Sequence, residues 1–225
     1  MSLTLYYHPL ASYCQKVLVA VYESGADVDK RLVDLASEAD RAELAAIWPL
    51  IKFPVLRDHE RQRDLPESSI IIEYLDQQSA GPRRLIPQDA DCALDVRLWD
   101  RFFDNHVQGP MQAIVNHKLA GAMDVPEREY AALAAAYGVI DNRLASRAGQ
   151  WIAGDDFSMA DCAAAPALFY AATLEDIPAA TAHLADYFER LMARPSVARM
   201  LDEARPYFSF YPFADRIPAR FLQDM

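Results

Sequence analysis

Between Lys52 and Leu75 the chain sets out side chains that together suit a small zwitterion. Lys52-Phe53-Pro54-Val55-Leu56 opens the stretch, and Pro66-Glu67-Ser68-Ser69 leads into the apolar run Ile70-Ile71-Ile72-Glu73-Tyr74-Leu75. A proline lacks a backbone N–H, so it is tolerated at the start or edge of a strand. Ser68 stands where a helix begins, and a helix start offers unpaired N–H groups and a partial positive charge to an anion. Glu67, beside that anion site, supplies an acid for an ammonium. Singly, such a proline is punctuation and such a Glu or Ser is a cap. Their order makes them a receptor for an amino-acid-like group carrying both charges.

These residues must be positioned by a strand, a hairpin, a second strand and a helix. Working outward, Leu3-Thr4-Leu5-Tyr6-Tyr7 reads as a strand ended by the turn His8-Pro9. Ser12-Tyr13-Cys14-Gln15 follows the Ser-x-x-Gln capping-box pattern and predicts a helix start. Cys14, Val17, Leu18 and Val21 fall on one helical face, and Gly25 ends the helix. Val28–Leu35 predicts a second strand, Glu38–Ile47 a helix, Phe53–Leu65 a hairpin turning at Asp58-His59-Glu60-Arg61, and Ser68–Gln77 a closing helix. The expected order is β-α-β-α-β-β-α.

Beyond Gln77 a polar Gly/Pro-containing stretch reaches Asp89 and reads as a linker, giving expected units of 1–78, 79–89 and 90–225. After it the pattern is helical throughout. An amphipathic run reaches about Leu119 with a kink expected at Gly109-Pro110, and Glu127–Ala148, Ala180–Met192 and Ser196–Ala204 predict further helices. Phe157-Ser158-Met159-Ala160-Asp161 presents the acidic variant of a capping box before Cys162–Ala172, which is too uniformly apolar to lie on a surface. An aromatic tail follows: Tyr207, Phe208, Phe210, Tyr211, Phe213 and Phe221. The fold class expected is α+β.

Composition excludes several functions. The 225 residues are 52% hydrophobic, enough for a real core. With 22 basic against 33 acidic residues the net charge is −11, which disfavours nucleic acid and anionic membrane surfaces as partners. No run approaches the roughly 18 apolar residues of a membrane span. Met1–Leu5 has no secretory pattern. Cys14, Cys92 and Cys162 are far apart and odd in number, suggesting neither a disulfide framework nor a zinc site, and a reducing, cytoplasmic setting is expected.

In register over the receptor stretch, and again at Phe-Ser-x-Ala-Asp, the chain resembles the glutathione transferases. The resemblance implies a thioredoxin-like N-terminal domain and an all-α C-terminal domain, glutathione as co-substrate, a small hydrophobic electrophile as second substrate, and a homodimer. It implies that Pro54 is cis, that the backbone of Phe53 pairs with the cysteinyl part of glutathione, and that Lys52 meets the glycine carboxylate. Glu67 would take the γ-glutamyl ammonium and Ser68 its carboxylate. The thiol must become a thiolate, which needs a hydrogen-bond donor at the start of the first helix. Serine-type members carry theirs at the place of Ala11, so Ser12, one residue later, is the first candidate; Tyr7 is the second and the helix backbone the third. Cysteine-type members use the Ala11 place too. Cys14, on the apolar stripe, reads as a packed residue. Leu10, Tyr13, His106, Met111 and the aromatic tail are candidates for the electrophile's side. The same scaffold also carries glutathione-dependent reductases and isomerases, and interaction proteins without catalysis.

Overall fold

A computed structural model describes residues 2–78, 84–122 and 124–223. The linker core Ser79-Ala80-Gly81-Pro82-Arg83 lies outside the described residues. The first elements are β1 (Leu3–Tyr7), α1 (Ser12–Ser24), β2 (Asp29–Leu32), α2 (Glu38–Ile47), β3 (Val55–Asp58), β4 (Arg63–Pro66) and α3 (Ser68–Gln78). Their sheet runs β2-β1-β3-β4. β2 lies parallel to β1, with Tyr7 opposite Leu32, while β3 is antiparallel to both β1 and β4, with Tyr6 opposite Val55 and Val55 opposite Pro66. This is the thioredoxin-like arrangement. β2 is shorter than the expected Val28–Leu35 because only the four residues that face β1 pair; it is an edge strand with a largely exposed surface.

The helical half consists of α4 (Ala90–Phe102), a π-helical turn (Phe103–Gln108), α5 (Gly109–Leu119), α6 (Glu127–Ser146), α7 (Met159–Leu174), α8 (Ala182–Met192) and α9 (Pro195–Ala204). The kink expected at Gly109-Pro110 is a widened turn just before it, in which Gly109 N–H reaches back to the Asp104 carbonyl, and Pro110 follows as the second residue of α5. The aromatic tail winds into short 3₁₀ turns at Arg205–Phe210, Ala214–Arg216 and Ala219–Phe221. Among the described residues no helix is long and apolar enough to cross a membrane.

α7 is buried along its length except at Ala172. α1 packs against it with its predicted stripe Cys14, Val17, Leu18 and Val21, so one continuous apolar cluster runs through both halves. Gly25, at φ 66°, closes α1 in the left-handed conformation that glycine adopts without steric penalty. The start of α7 is closed as its sequence predicts: the Oδ2 of Asp161 accepts from the N–H and the hydroxyl of Ser158, each at 2.9 Å.

Candidate functional site

A cleft of ≈ 280 Å³ opens where the sheet's lower loops meet α3 and the helical half. Lys52, Phe53 and Pro54 form one wall, Pro66, Glu67 and Ser68 the next, Tyr13 of α1 a third, and Arg101, Asp104 and Asn105 close it from α4 and the π-turn. The Phe53–Pro54 peptide bond is cis. The five residues read from sequence as ligand contacts therefore surround one space. Trp48, at the end of α2, joins them.

Glu67 stands just before α3 with φ 72°, in the left-handed region that a residue with a Cβ rarely adopts. Its carbonyl accepts the first helical bond, from Ile71 N–H at 2.9 Å, while its carboxylate points outward and exposed. Neither that carboxylate nor the hydroxyl of buried Ser68 has a hydrogen-bond or ion-pair partner among the described residues. An acid, a hydroxyl and the first amides of a helix are thus left unspent at one point. Such a group favours a ligand with an ammonium and a carboxylate on adjacent atoms.

Beneath this point lies a buried ionic cluster that the sequence does not announce. Lys16 of α1 is 1% exposed, and its ammonium reaches Asp100 at 2.6 Å, Asp104 at 2.8 Å and the hydroxyl of Ser69 at 2.8 Å. Ser69 in turn donates to Asp100 at 2.7 Å. Arg101 bridges Asp100, at 2.9 Å, and Asp104. Two carboxylates are held inside the protein because two cations are held with them. Burial pushes the Asp104 carboxyl above its usual range, with Lys16 pulling the other way. Tyr13 is pushed up to about 12, chiefly by burial and then by Asp104, so it remains a phenol and a donor.

The two expected thiol-activating side chains do not line this cleft. Tyr7 is buried in the core with its ring 6.0 Å from the ammonium of Lys30, and burial followed by Glu203 raises its pKa. Ser12 is also buried, and its oxygen accepts from the amide of Gln108 on the π-turn. The capping box expected at Ser12–Gln15 is absent. Ala11 is the residue preceding the helix, and Gln15, fully buried, donates instead to the Pro9 carbonyl at 2.8 Å and to the Tyr170 hydroxyl at 2.9 Å. These two acceptors turn the Gln15 side chain inward, away from the start of the helix, and its Oε1 has no hydrogen-bond partner among the described residues. Burial raises the Cys14 thiol well above its ordinary value.

Of the residues expected on the electrophile's side, Tyr13 reaches the cleft. Met111 is buried in the core, Leu10 packs partly against it, and His106 is exposed beside Phe102. From the tail, Phe208 and Tyr211 are buried, whereas Tyr207 packs edge-on against His8 at 5.0 Å. His8 also stacks on Phe53, 6.2 Å away, and accepts at Nδ1 from Leu10 N–H. A larger groove of ≈ 670 Å³ shares no lining residue with the cleft, and its arginines already face carboxylates: Arg84 with Asp76, Arg147 with Asp95, Arg194 with Glu23. Among the described residues no group of His, Cys, Asp and Glu could hold a metal.

Comparison with known proteins supplies the family. Residues 5–83 match the glutathione S-transferase N-terminal domain and residues 102–195 the glutathione S-transferase C-terminal domain. This chain is a glutathione S-transferase family member. Over 159 residues, 69% of this chain and 71% of the relative, it is 28% identical to the glutathione S-transferase-like protein LUC7 of a Fusarium species. Over 165 residues it is 26% identical to maleylacetoacetate isomerase of Rattus norvegicus, covering 72% of this chain and 74% of that one. A crystal structure of a glutathione S-transferase from Methylobacillus flagellatus with glutathione bound superposes with a TM-score of 0.76 at 29% identity, covering 88% of this chain and 98% of the other. The family supports glutathione-dependent activity in general terms.

Proposed function

We propose that this protein binds glutathione in the 280 Å³ cleft and stabilises its thiolate for attack on a small hydrophobic electrophile. The observation that carries this reading is the unspent pair Glu67–Ser68 at the start of α3, facing cis Pro54 across the same cleft. Glu67 takes the γ-glutamyl ammonium and Ser68 its carboxylate; the Phe53 backbone pairs with the cysteinyl residue, and Lys52 meets the glycine carboxylate. A free thiol ionises near pH ~8.5, and a donated hydrogen bond or a helix N-terminus lowers that value. Ser12 is the first-ranked donor by its place in the first turn of α1, next to cleft residue Tyr13; its buried hydroxyl, held by Gln108, does not line the cleft and must turn toward the thiol to donate. Tyr7 and the open amides of α1 are the alternatives.

The likeness to maleylacetoacetate isomerase favours a second reading, glutathione-dependent isomerisation, in which the thiolate adds to a conjugated bond and later leaves. A homodimer is part of the proposal. Ile70 of α3 and Leu94 and Leu98 of α4 are exposed beside the Arg97–Glu73 pair, which joins those helices at 2.8 Å. The cytoplasm, with its millimolar thiol pool, is the setting proposed.

Calorimetric titration with glutathione tests the reading, comparing the native chain with Glu67→Ala plus Ser68→Ala. Saturable binding abolished by the double change is the expected result. Absence of native binding at millimolar glutathione would remove the enzyme and point to a protein partner.

A further inference from the structure

We propose that Tyr170, on α7 of the helical half, is a positioning residue for thiol activation: together with Gln15 it fixes the turn between β1 and α1, from which Ser12 and the first amides of α1 meet the thiol. The proposal rests on the glutathione reading above and adds two residues that stand outside the cleft.

The turn runs from His8 to Ala11, and each of its carbonyls accepts a hydrogen bond. His8 accepts from Ala11 N–H at 3.0 Å and Ala11 from Gln15 N–H at 2.9 Å, which are local backbone bonds. The two carbonyls between them are held by side chains. Gln15 Nε2 donates to Pro9 at 2.8 Å, and the Tyr170 hydroxyl, from 160 residues along the chain, donates to Leu10 at 3.0 Å. Gln15 also donates to the Tyr170 hydroxyl at 2.9 Å, so the two side chains brace each other. A peptide unit is planar, so a pinned carbonyl also fixes the N–H of its own unit. Gln15 thus sets the Pro9–Leu10 unit, whose N–H meets His8 Nδ1 at 3.2 Å, and Tyr170 sets the Leu10–Ala11 unit. Ala11 is the residue that leads into α1. The first amides of a helix have no carbonyl one turn earlier to reach, so their aim follows the turn that delivers them.

Stability alone does not account for these polar groups. Tyr170 is the one hydroxyl in the apolar run from Cys162 to Ala172, and its neighbour Phe169 is a ring of the same shape without it. Gln15 and Tyr170 are both buried, and Gln15 Oε1 has no hydrogen-bond partner among the described residues. An unpartnered buried acceptor destabilises a fold, and an apolar side chain of similar size avoids that penalty. What the position uses is the amide nitrogen, with its bonds to Pro9 and Tyr170. Burial raises the Tyr170 phenol well above its ordinary range, with Gln15 opposing, so it stays a donor to Leu10. The turn of α7 beneath the phenol is tied down in its own right: the Thr173 hydroxyl donates to the Tyr170 carbonyl at 2.7 Å and meets the Tyr211 hydroxyl of the tail at 2.8 Å.

The test follows the ultraviolet absorbance of the glutathione thiolate against pH on the native chain, Tyr170→Phe and Gln15→Met. Calorimetric titration with S-methylglutathione, which has no thiol to ionise, measures the receptor separately. Loss of an aligned hydrogen bond to the thiolate is expected to weaken ionisation of the bound thiol by roughly tenfold in each variant, while affinity for S-methylglutathione changes by less than about twofold. The absorbance curve then moves to higher pH with the receptor intact. Gln15→Met also removes the unpartnered Oε1, so thermal unfolding should leave it at least as stable as the native chain, and it carries the test if Tyr170→Phe fails to fold. A merely structural role would lower melting temperature and S-methylglutathione affinity together and leave the thiolate curve in place. An unmoved curve in a folded variant, or equal losses for both ligands, overturns the positioning role. Native binding of S-methylglutathione with the glutathione thiol ionising as it does free in water overturns it too but leaves the receptor, whereas native binding of neither ligand removes the glutathione reading as well.

Discussion

Two helix starts in this chain are built from the same two residue types and use them in opposite ways. At α7 the serine and the acid close on each other: Asp161 accepts from Ser158, from Ile152 N–H at 3.2 Å and from the Tyr187 hydroxyl at 2.6 Å, so no polar group there is left over. At α3 the acid comes first, and the left-handed backbone of Glu67 turns its carboxylate away from the helix. Order along the chain separates the roles. An acid three residues after the serine reaches back to cap, whereas an acid just before it cannot, and both side chains stay open to the cleft. The buried start contributes stability, and the open one leaves its side chains to the cleft.

Removing the closed side should give the largest effect. Asp161→Ala strands the Tyr187 hydroxyl and two amides in the interior and is expected to cost about 3 kcal/mol. Urea unfolding checks the loss, and glutathione affinity of the folded protein should hold. A change of under ~1 kcal/mol would mean that the two starts are not energetically distinct. Glu67→Gly inverts the experiment at the open side. Glycine accepts the φ of 72° freely, so stability should rise by about 1 kcal/mol while glutathione affinity falls at least about tenfold. Stability and binding moving in the same direction would break the comparison.

What the sequence made legible follows the same division. The cleft walls at Pro54, Glu67 and Ser68 and the cap at Ser158–Asp161 are local in sequence, so order and spacing reveal them. The Ser12–Gln15 pattern misleads because the partners that win Gln15 are Pro9 and Tyr170, the latter from α7 and far along the chain. Lys16 and Arg101 leave almost no local trace. On a helix such residues look like a solvated face, and only the fold, which brings Lys16 of α1 to Asp100 and Asp104, ties them into one cluster with Lys16 buried and Arg101 half exposed. Asp100 and Asp104, one turn apart among Trp99, Phe102 and Phe103, were the available hint. The edge strand β2 was overextended because apolar content continues past the residues that pair.

The smallest effect concerns pH at the margin of the open cleft. Burial lowers the pKa of His8, with Asp34 opposing, so the unfolded chain binds this proton more readily than the folded one. The sign follows: the stabilisation is complete above the ordinary value of 6.5 and is lost as pH falls below it. His8→Gln should flatten the decline of thermal stability on that acid side. An identical pH profile for the variant would assign the decline to other groups.

The π-turn at Phe103–Gln108 carries a consequence for how this chain tolerates change in length. A π-turn holds one more residue than an α-turn, so it is a frozen insertion. Its six residues include Asp104, bound to Lys16, and Gln108, bound to Ser12. Removing one of them would close the widened turn into uninterrupted α-helix from Ala90 to Leu119, while the residues beyond keep their face because the extra residue is absorbed within the turn. Met111, Ile114 and Val115 would stay in the core, and the contacts of Asp104 and Gln108 would be lost. Here a change in length is felt at the turn itself and not in the helix that follows.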